Sequence, residues 1–287
     1  MLAFDYRPAT SLAEALAILR ETGDDGHAIE GGTSLMLMMK QGLVQPGVVV
    51  GLADVPELQG VRRASDGGLI LGALATHREV ETSADVRAFA PAVAAAFSRI
   101  ATIRIRNQAT LGGNLAHADP AQDPPAVLLA LDAEVVLASD GATRTIPLAE
   151  FFLDYFQTAL EEGELIREVR VPPLPAGARF VYEKFLPRTE DDYATVAVAA
   201  LLALGDDGRC TDVRIGLGSL GMTPLRAQAV ERALAGERLT DAAIDDAAAL
   251  VREEIDPIDD VRGSASYKRE MARVWTARAL KRLSGGR

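Results

Sequence analysis

Near the start of the chain, apolar Leu12, Ala15, Leu16 and Leu19 recur at i, i+3, i+4 and i+7, the spacing of one helix face. Ser11 with Glu14 three residues on forms a capping-box pair before this run, and Gly23 ends it. The short run His27 to Glu30 reads as a strand leading into Gly31-Gly32, with a second helix starting at Thr33 or Ser34. Val48 to Gly51 reads as another strand. The first sixty or so residues therefore predict a small α/β unit.

Further along, Leu69 to Leu74 predicts a strand, and Thr76 with Glu79 a second capping box. A helix is expected from about Ala88 to Ala101, then a Gly-rich stretch from Thr110 to Asn114, then a short helix after Pro124 and Pro125. Ala133 to Ala138 and Thr143 to Pro147 flank the turn signal Asp140-Gly141, and Glu164 to Val171 closes the region as a strand. Pro172, Pro173 and Pro175 make a stiff linker. We place a domain boundary there: 1–174, with subdomains of about 1–60 and 61–174, and 175–287. Alternation resumes over Phe180 to Phe185. Tyr193 to Leu204 is Ala-rich like a helix and Val-rich like a buried strand, and Val213 to Leu220 is a Gly-interrupted strand. Helices near 225–235, 240–254 and 264–284 finish the chain.

Composition narrows the chemistry. The 287 residues suit about two domains, and 48% hydrophobic with 25% charged residues excludes general disorder. A net charge of -11 argues against nucleic acid or an anionic membrane as the main partner. Cys210 alone makes no disulfide and no iron–sulfur cluster, and with His27, His77 and His117 it forms no zinc-site spacing. Redox or metal chemistry must then come from a bound cofactor or a partner chain. No basic start followed by an apolar stretch is visible. The longest apolar run, Val196 to Leu204, is far short of the 18 or so residues of a membrane span. The expectation is a cytoplasmic protein. Charge is uneven at the end: eight acids and one Arg lie between Thr240 and Asp260, then eight bases and one Glu between Val261 and Arg287. Two solvated helix faces that attract each other explain this; a docking surface for a partner is the sharper alternative.

Three segments carry candidate chemistry. Glu30-Gly31-Gly32-Thr33-Ser34 joins a strand to a helix; its glycines let a ligand approach the backbone, and successive N–H groups in such a turn form an anion-binding nest. No G-x-G-x-x-G is present, which disfavours a standard nicotinamide fold. Thr110-Leu111-Gly112-Gly113-Asn114 repeats the combination of hydroxyl, two glycines and amide, suggesting a second wall around one diphosphate. A single Gly-Gly pair is more often just a turn. Asp123 could accept from a ribose diol or simply cap the helix after Pro124. The acids Glu190, Asp191 and Asp192 before Tyr193 read as an exposed loop.

The order Gly-Gly-Thr-Ser-Leu, Thr-Leu-Gly-Gly-Asn…Asp-Pro-x-x-Asp and Arg-x-Glu-Asp-Asp-Tyr-Ala resembles the FAD-binding medium subunit of the molybdenum hydroxylases, the xanthine dehydrogenase and carbon monoxide dehydrogenase relatives. The resemblance covers nearly the whole chain. It implies an α+β protein: a two-subdomain FAD-binding domain of the vanillyl-alcohol-oxidase (PCMH) type, then a smaller α+β domain with a three-stranded antiparallel sheet and a helix bundle. It settles Tyr193 to Leu204 as a strand. By the resemblance, Ala28 to Leu35 wrap the FAD diphosphate, including Ile29, with Gly31, Gly32, Thr33 and Ser34 closest. Thr110, Gly112, Gly113 and Asn114 form the opposing wall, and Asp123 sits near the ribose. Ile100, Ile166 and Lys184 touch the cofactor, Tyr193 covers the flavin ring, and Lys40 lies nearby. No catalytic residue and no metal ligand is implied in this chain.

The same resemblance implies a molybdopterin cofactor on a large subunit, two [2Fe-2S] clusters on a small subunit, a dimer of heterotrimers and an external electron acceptor. Glu30 departs from the small or apolar residue usual before the Gly-Gly pair, and is expected outside the phosphate shell. Trp275, with Met271 and Leu280, is expected to pack. A stand-alone flavin oxidoreductase of the same fold and a non-catalytic nucleotide-binding assembly protein are the rival readings.

Overall fold

The computed structural model describes residues 2–186, 188–189 and 191–285. Its first unit runs β1 (Asp5–Pro8), α1 (Leu12–Thr22), β2 (Gly26–Ile29), α2 (Leu35–Gln41) and β3 (Val48–Gly51). The strands form a parallel sheet in the order β1-β3-β2. Buried Ala15, Leu16 and Leu19 of α1 pack with Val50, Leu52 and Leu58. The Ser11 hydroxyl accepts from the Glu14 amide as expected, but the Glu14 carboxylate accepts from the Thr10 amide, so the reciprocal bond is displaced by one residue. β1 escaped the sequence pattern: four half-exposed residues ending in Pro carry no alternation, and only pairing with the β3 edge makes them a strand.

The second unit runs β4 (Val61–Arg63), β5 (Leu69–Gly72), α3 (His77–Thr82), α4 (Ala84–Phe89), α5 (Pro91–Ser98), α6 (Ile103–Arg106), α7 (Leu111–His117), α8 (Asp123–Ala130), β6 (Glu134–Ser139), β7 (Ala142–Pro147), β8 (Phe152–Asp154), β9 (Gln157–Thr158) and β10 (Leu165–Val171). Its main sheet is antiparallel throughout, in the order β4-β5-β10-β6-β7. The single helix expected over 88–101 is two helices. Pro91 keeps Ala90 extended (φ -158°, ψ 106°) and starts α5 at its first turn. The Gly-rich stretch expected over 110–114 is not a free loop either. Thr110 caps α7, its hydroxyl accepting from the Gly113 amide at 3.1 Å. Gly112 donates to the Ala73 carbonyl at 2.7 Å. A Cβ on Gly112 would stand 2.9 Å from that oxygen, so α7 packs straight onto the chain leaving β5.

The last part has β11 (Arg179–Phe185), β12 (Val196–Leu204), β13 (Cys210–Gly218), β14 (Leu225–Arg226), α9 (Gln228–Leu234), α10 (Asp241–Ala249), α11 (Val251–Glu254) and α12 (Ala265–Ser284). Its antiparallel sheet has the expected three long strands plus a fourth of two residues, β14, at one edge. β12 is central and buried on both faces, which is why its sequence shows no polar alternation. Ala197, Ala199 and Leu201 join the core of the second unit, while Val196, Val198, Ala200 and Leu202 face the C-terminal helices. Gly216 interrupts β13 because α8 presses on it: a Cβ there would meet the Ala126 carbonyl at 2.0 Å.

The uneven terminal charge is used within the chain. Lys281 pairs with Asp245 and Arg269 with Asp256, both at 2.8 Å; Lys268 pairs with Asp260 at 2.7 Å, and Arg252 pairs with Glu270. Trp275 packs as expected, stacked on Phe185 with ring centroids 5.2 Å apart. Among the described residues no helix is long and apolar enough to cross a membrane.

Candidate functional site

Two adjoining cavities, of about 300 and 640 Å³, share Thr33, Ser34, Asn114, His117, Gln122 and Phe156 in their walls. The smaller is built largely from backbone. The turn from β2 into α2 supplies one wall, with Ile29 and Leu35 at its ends, and Thr110, Gly113 and Asn114 supply another. Gly31 has no room for a side chain, since a Cβ would stand 1.8 Å from the Gln108 carbonyl oxygen. Gly32 holds φ +62°, a left-handed conformation that other residues adopt at a cost. Among the described residues the amides of Gly31 to Leu35 donate to no protein acceptor, leaving a row of N–H groups for an anionic ligand. Glu30 lines this cavity too. Its carboxyl is raised by partial burial first and by the charge of Asp54 second.

The larger cavity is built from side chains that come from distant segments. Asp123 opens α8, and each of its carboxylate oxygens holds a partner: Oδ1 accepts from the Tyr182 hydroxyl, and Oδ2 from Lys184 Nζ at 2.9 Å. Lys184 Nζ also donates to the Arg99 carbonyl at 3.0 Å. The Arg99 guanidinium returns bonds to the carbonyls of Tyr182 and Lys184, at 3.4 and 3.1 Å. Burial pushes the Asp123 carboxyl up against the opposing pull of Lys184, Tyr182 and Arg99; burial and the Asp123 charge hold the Tyr182 hydroxyl well above its usual value. Each oxygen thus holds one protein partner and keeps a further lone pair, and the residue lines only the second of the two cavities.

Ile100 and Tyr193 line the same cavity. Tyr193 is 39% exposed, with the Arg262 guanidinium 5.3 Å from its ring centre. Its hydroxyl is pushed up to about 12, by burial foremost. His77 also lines this cavity at 1% exposure. Burial first, then the Arg106 charge, lower it to about 4, so its ring is neutral at pH 7. His117 rests against Phe156, ring centroids 5.3 Å apart, and burial lowers it as well.

Some expected residues are elsewhere. Ile166 sits in the core and lines neither cavity, Gly112 is occupied with Ala73, and Lys40 is exposed outside both. The sequence reading missed Arg99, Tyr182, Gln122 and Phe156. Of these only Tyr182 carried a signal, as an aromatic two places before Lys184 on an alternating strand. Cys210 is buried, and burial raises its thiol to about 11.

Comparison with known proteins agrees with this geometry. Residues 2–174 match the family model described as FAD binding domain in molybdopterin dehydrogenase. The chain belongs to this family. Residues 181–283 match the CO dehydrogenase flavoprotein C-terminal domain. The chain is 35% identical over 277 residues to the carbon monoxide dehydrogenase medium chain of Hydrogenophaga pseudoflava, covering 96% of each protein. It is 38% identical to the 6-hydroxypseudooxynicotine dehydrogenase complex subunit alpha of Paenarthrobacter nicotinovorans, covering 96% of this chain and 93% of that one. The solved carbon monoxide dehydrogenase of Hydrogenophaga pseudoflava superposes with a TM-score of 0.95 at 37% identity, covering 99% of this chain and 98% of that one. This is an FAD-binding medium subunit of the molybdenum hydroxylase family, and so an oxidoreductase component.

The residues present fit FAD. His27 Nδ1, His77 Nδ1, Asn114 Oδ1 and Gln122 Oε1 are buried without a protein partner, and all four residues line one or both cavities. Buried polar groups without partners are rare in folded proteins, and four belong to residues that wall this one cleft, which suits a polar ligand.

Proposed function

We propose that one FAD lies along both cavities. In this reading its diphosphate meets the amides of Gly31 to Leu35, with Ile29 behind them and the Thr110, Gly113 and Asn114 wall opposite. Its ring system occupies the larger cavity beside Ile100, Asp123, Lys184 and Tyr193. Gly112 and Ile166 act one layer back, Gly112 by letting α7 seat on Ala73 and Ile166 as core behind the site. The observation that carries the reading is the shared wall between a backbone-lined cavity and a larger one with a buried cation, with unpartnered polar atoms on residues that wall both.

A flavin held there would supply the redox chemistry between iron–sulfur clusters and an external acceptor. The chain's own part is to bind, orient and shield. The turn amides neutralise phosphate charge, Lys184 fixes one ammonium at the cavity wall, and Tyr193 with Phe156 limits access of water. We infer a cytoplasmic complex with a large subunit carrying the molybdopterin cofactor and a small subunit carrying two [2Fe-2S] clusters, assembled as a dimer of heterotrimers. Co-expression with the neighbouring large and small subunits, followed by flavin and metal analysis of the purified complex, tests this. The reading expects co-purification and bleaching of flavin absorbance when substrate reduces the complex. A chain that purifies alone and whose flavin stays oxidised in the presence of those subunits and substrate would refute it.

A further inference from the structure

We propose, on the reading that the flavin ring occupies the larger cavity, that Tyr182 and Arg99 are positioning residues which aim the Lys184 ammonium at that ring and so set the site's preference for reduced over oxidised FAD.

An ammonium has three N–H donors. Lys184 spends one on Asp123 Oδ2 and one on the Arg99 carbonyl. The third has no protein acceptor among the described residues, and Lys184 lines the cavity. Asp123 has a second partner in turn, the Tyr182 hydroxyl, on its other oxygen. Arg99 pins β11 from outside the sheet, bonding the carbonyls on either side of Glu183, and its guanidinium lies 5.9 Å from the centre of the Tyr182 ring. Asp123 and Lys184 are each 4% exposed and Tyr182 6%, so the network sits where charge is poorly screened and geometry counts.

Stability is a poor account of such a network. A buried ion pair is seldom better for folding than apolar residues of the same volume. A cation with one unspent donor at a cavity wall is instead suited to a ligand whose negative charge grows. Reduced FAD carries more negative charge than oxidised FAD, so a fixed ammonium beside the ring favours the reduced form. Without the Tyr182 hydroxyl, the freed oxygen of Asp123 turns to the one donor still near it and draws the ammonium off the cavity. Reduced FAD then loses stabilisation while the cavity keeps its shape.

The test is equilibrium reduction of the FAD-loaded full chain against a reference dye, with flavin content and circular dichroism recorded alongside. Tyr182→Phe should keep its flavin and fold, yet prefer reduced FAD about tenfold less, which is about 30 mV for a two-electron couple. Arg99→Gln should shift the same way, and Lys184→Gln further. On the Lys184→Gln background, Tyr182→Phe should change nothing more. An unchanged preference in Tyr182→Phe, a shift of opposite sign, or an equal shift on both backgrounds would overturn the proposal. Should Tyr182→Phe fail to fold, Arg99→Gln decides by the same readout. Wild-type chain that takes up no FAD would refute the reading of the site itself. Wild type that loads normally beside a silent Tyr182→Phe and a silent Arg99→Gln refutes only the positioning role.

Discussion

The two halves of the cleft are made in different ways. The smaller cavity is largely backbone: the turn at Glu30 to Ser34 and the start of α7 at Thr110 to Asn114, brought together where Gly31 meets Gln108. The larger is walled by side chains, among them Asp123 and Lys184, which Tyr182 and Arg99 hold from behind and which meet where the C-terminal sheet docks on α5 and α8. A backbone site fails sterically, when a side chain intrudes. A buried charge network fails electrostatically, when one partner leaves and the other is stranded.

The largest expected effect separates these modes. Lys184→Met strands the Asp123 carboxylate, and losing one partner of a buried pair costs about 3–5 kcal/mol. Urea unfolding should show that loss, and adding Asp123→Leu should recover much of it. If Lys184→Met were nearly neutral, the larger cavity would not depend on its ion pair.

Next comes pH. His77 titrates at about 4 in the fold and near 6.5 when unfolded, so between these values the unfolded chain binds more protons. Stability therefore rises with pH through this window, is full above 6.5 and is lost as pH falls to about 4. The difference is roughly 3 kcal/mol. Unfolding curves for wild type and His77→Gln should diverge in slope only there; parallel curves would remove His77 as the cause.

Gly31→Ala probes the backbone half. A methyl 1.8 Å from the Gln108 carbonyl must push the two loops apart. The cost is about 1–3 kcal/mol, and flavin affinity should fall with it, read by titration of fluorescence. The smallest effect is outside both halves. Arg252→Ala removes an exposed pair with Glu270 and should cost under about 1 kcal/mol, screened by salt. A larger loss there would mean that the terminal helices report on the cleft.

What was legible follows the same division. The Gly31-Gly32 turn, the Ser11 cap and the order of elements were readable because each depends on neighbours in sequence. The break at Ala90-Pro91 obeys an equally local rule that the apolar run of Ala and Val masked. That Gly112 and Gly113 start a helix depends on the distant Ala73, and no local pattern shows it. Asp123 illustrates the limit best. Its type and place before Pro124 suggested a diol acceptor or a cap, whereas its partners come from about sixty residues away, Tyr182 and Lys184. Alternation on β11 puts both on one strand face, but only the docked fold shows that this face meets α8.

The central claim is that one FAD needs the small cavity's turn as much as the large cavity's charge. It is tested most directly by visible absorbance of the purified full chain after FAD loading and gel filtration, wild type beside Gly32→Asp. The account predicts flavin equimolar with wild-type chain and none with Gly32→Asp, where an acid at φ +62° faces the diphosphate. Full flavin retained by Gly32→Asp would contradict it.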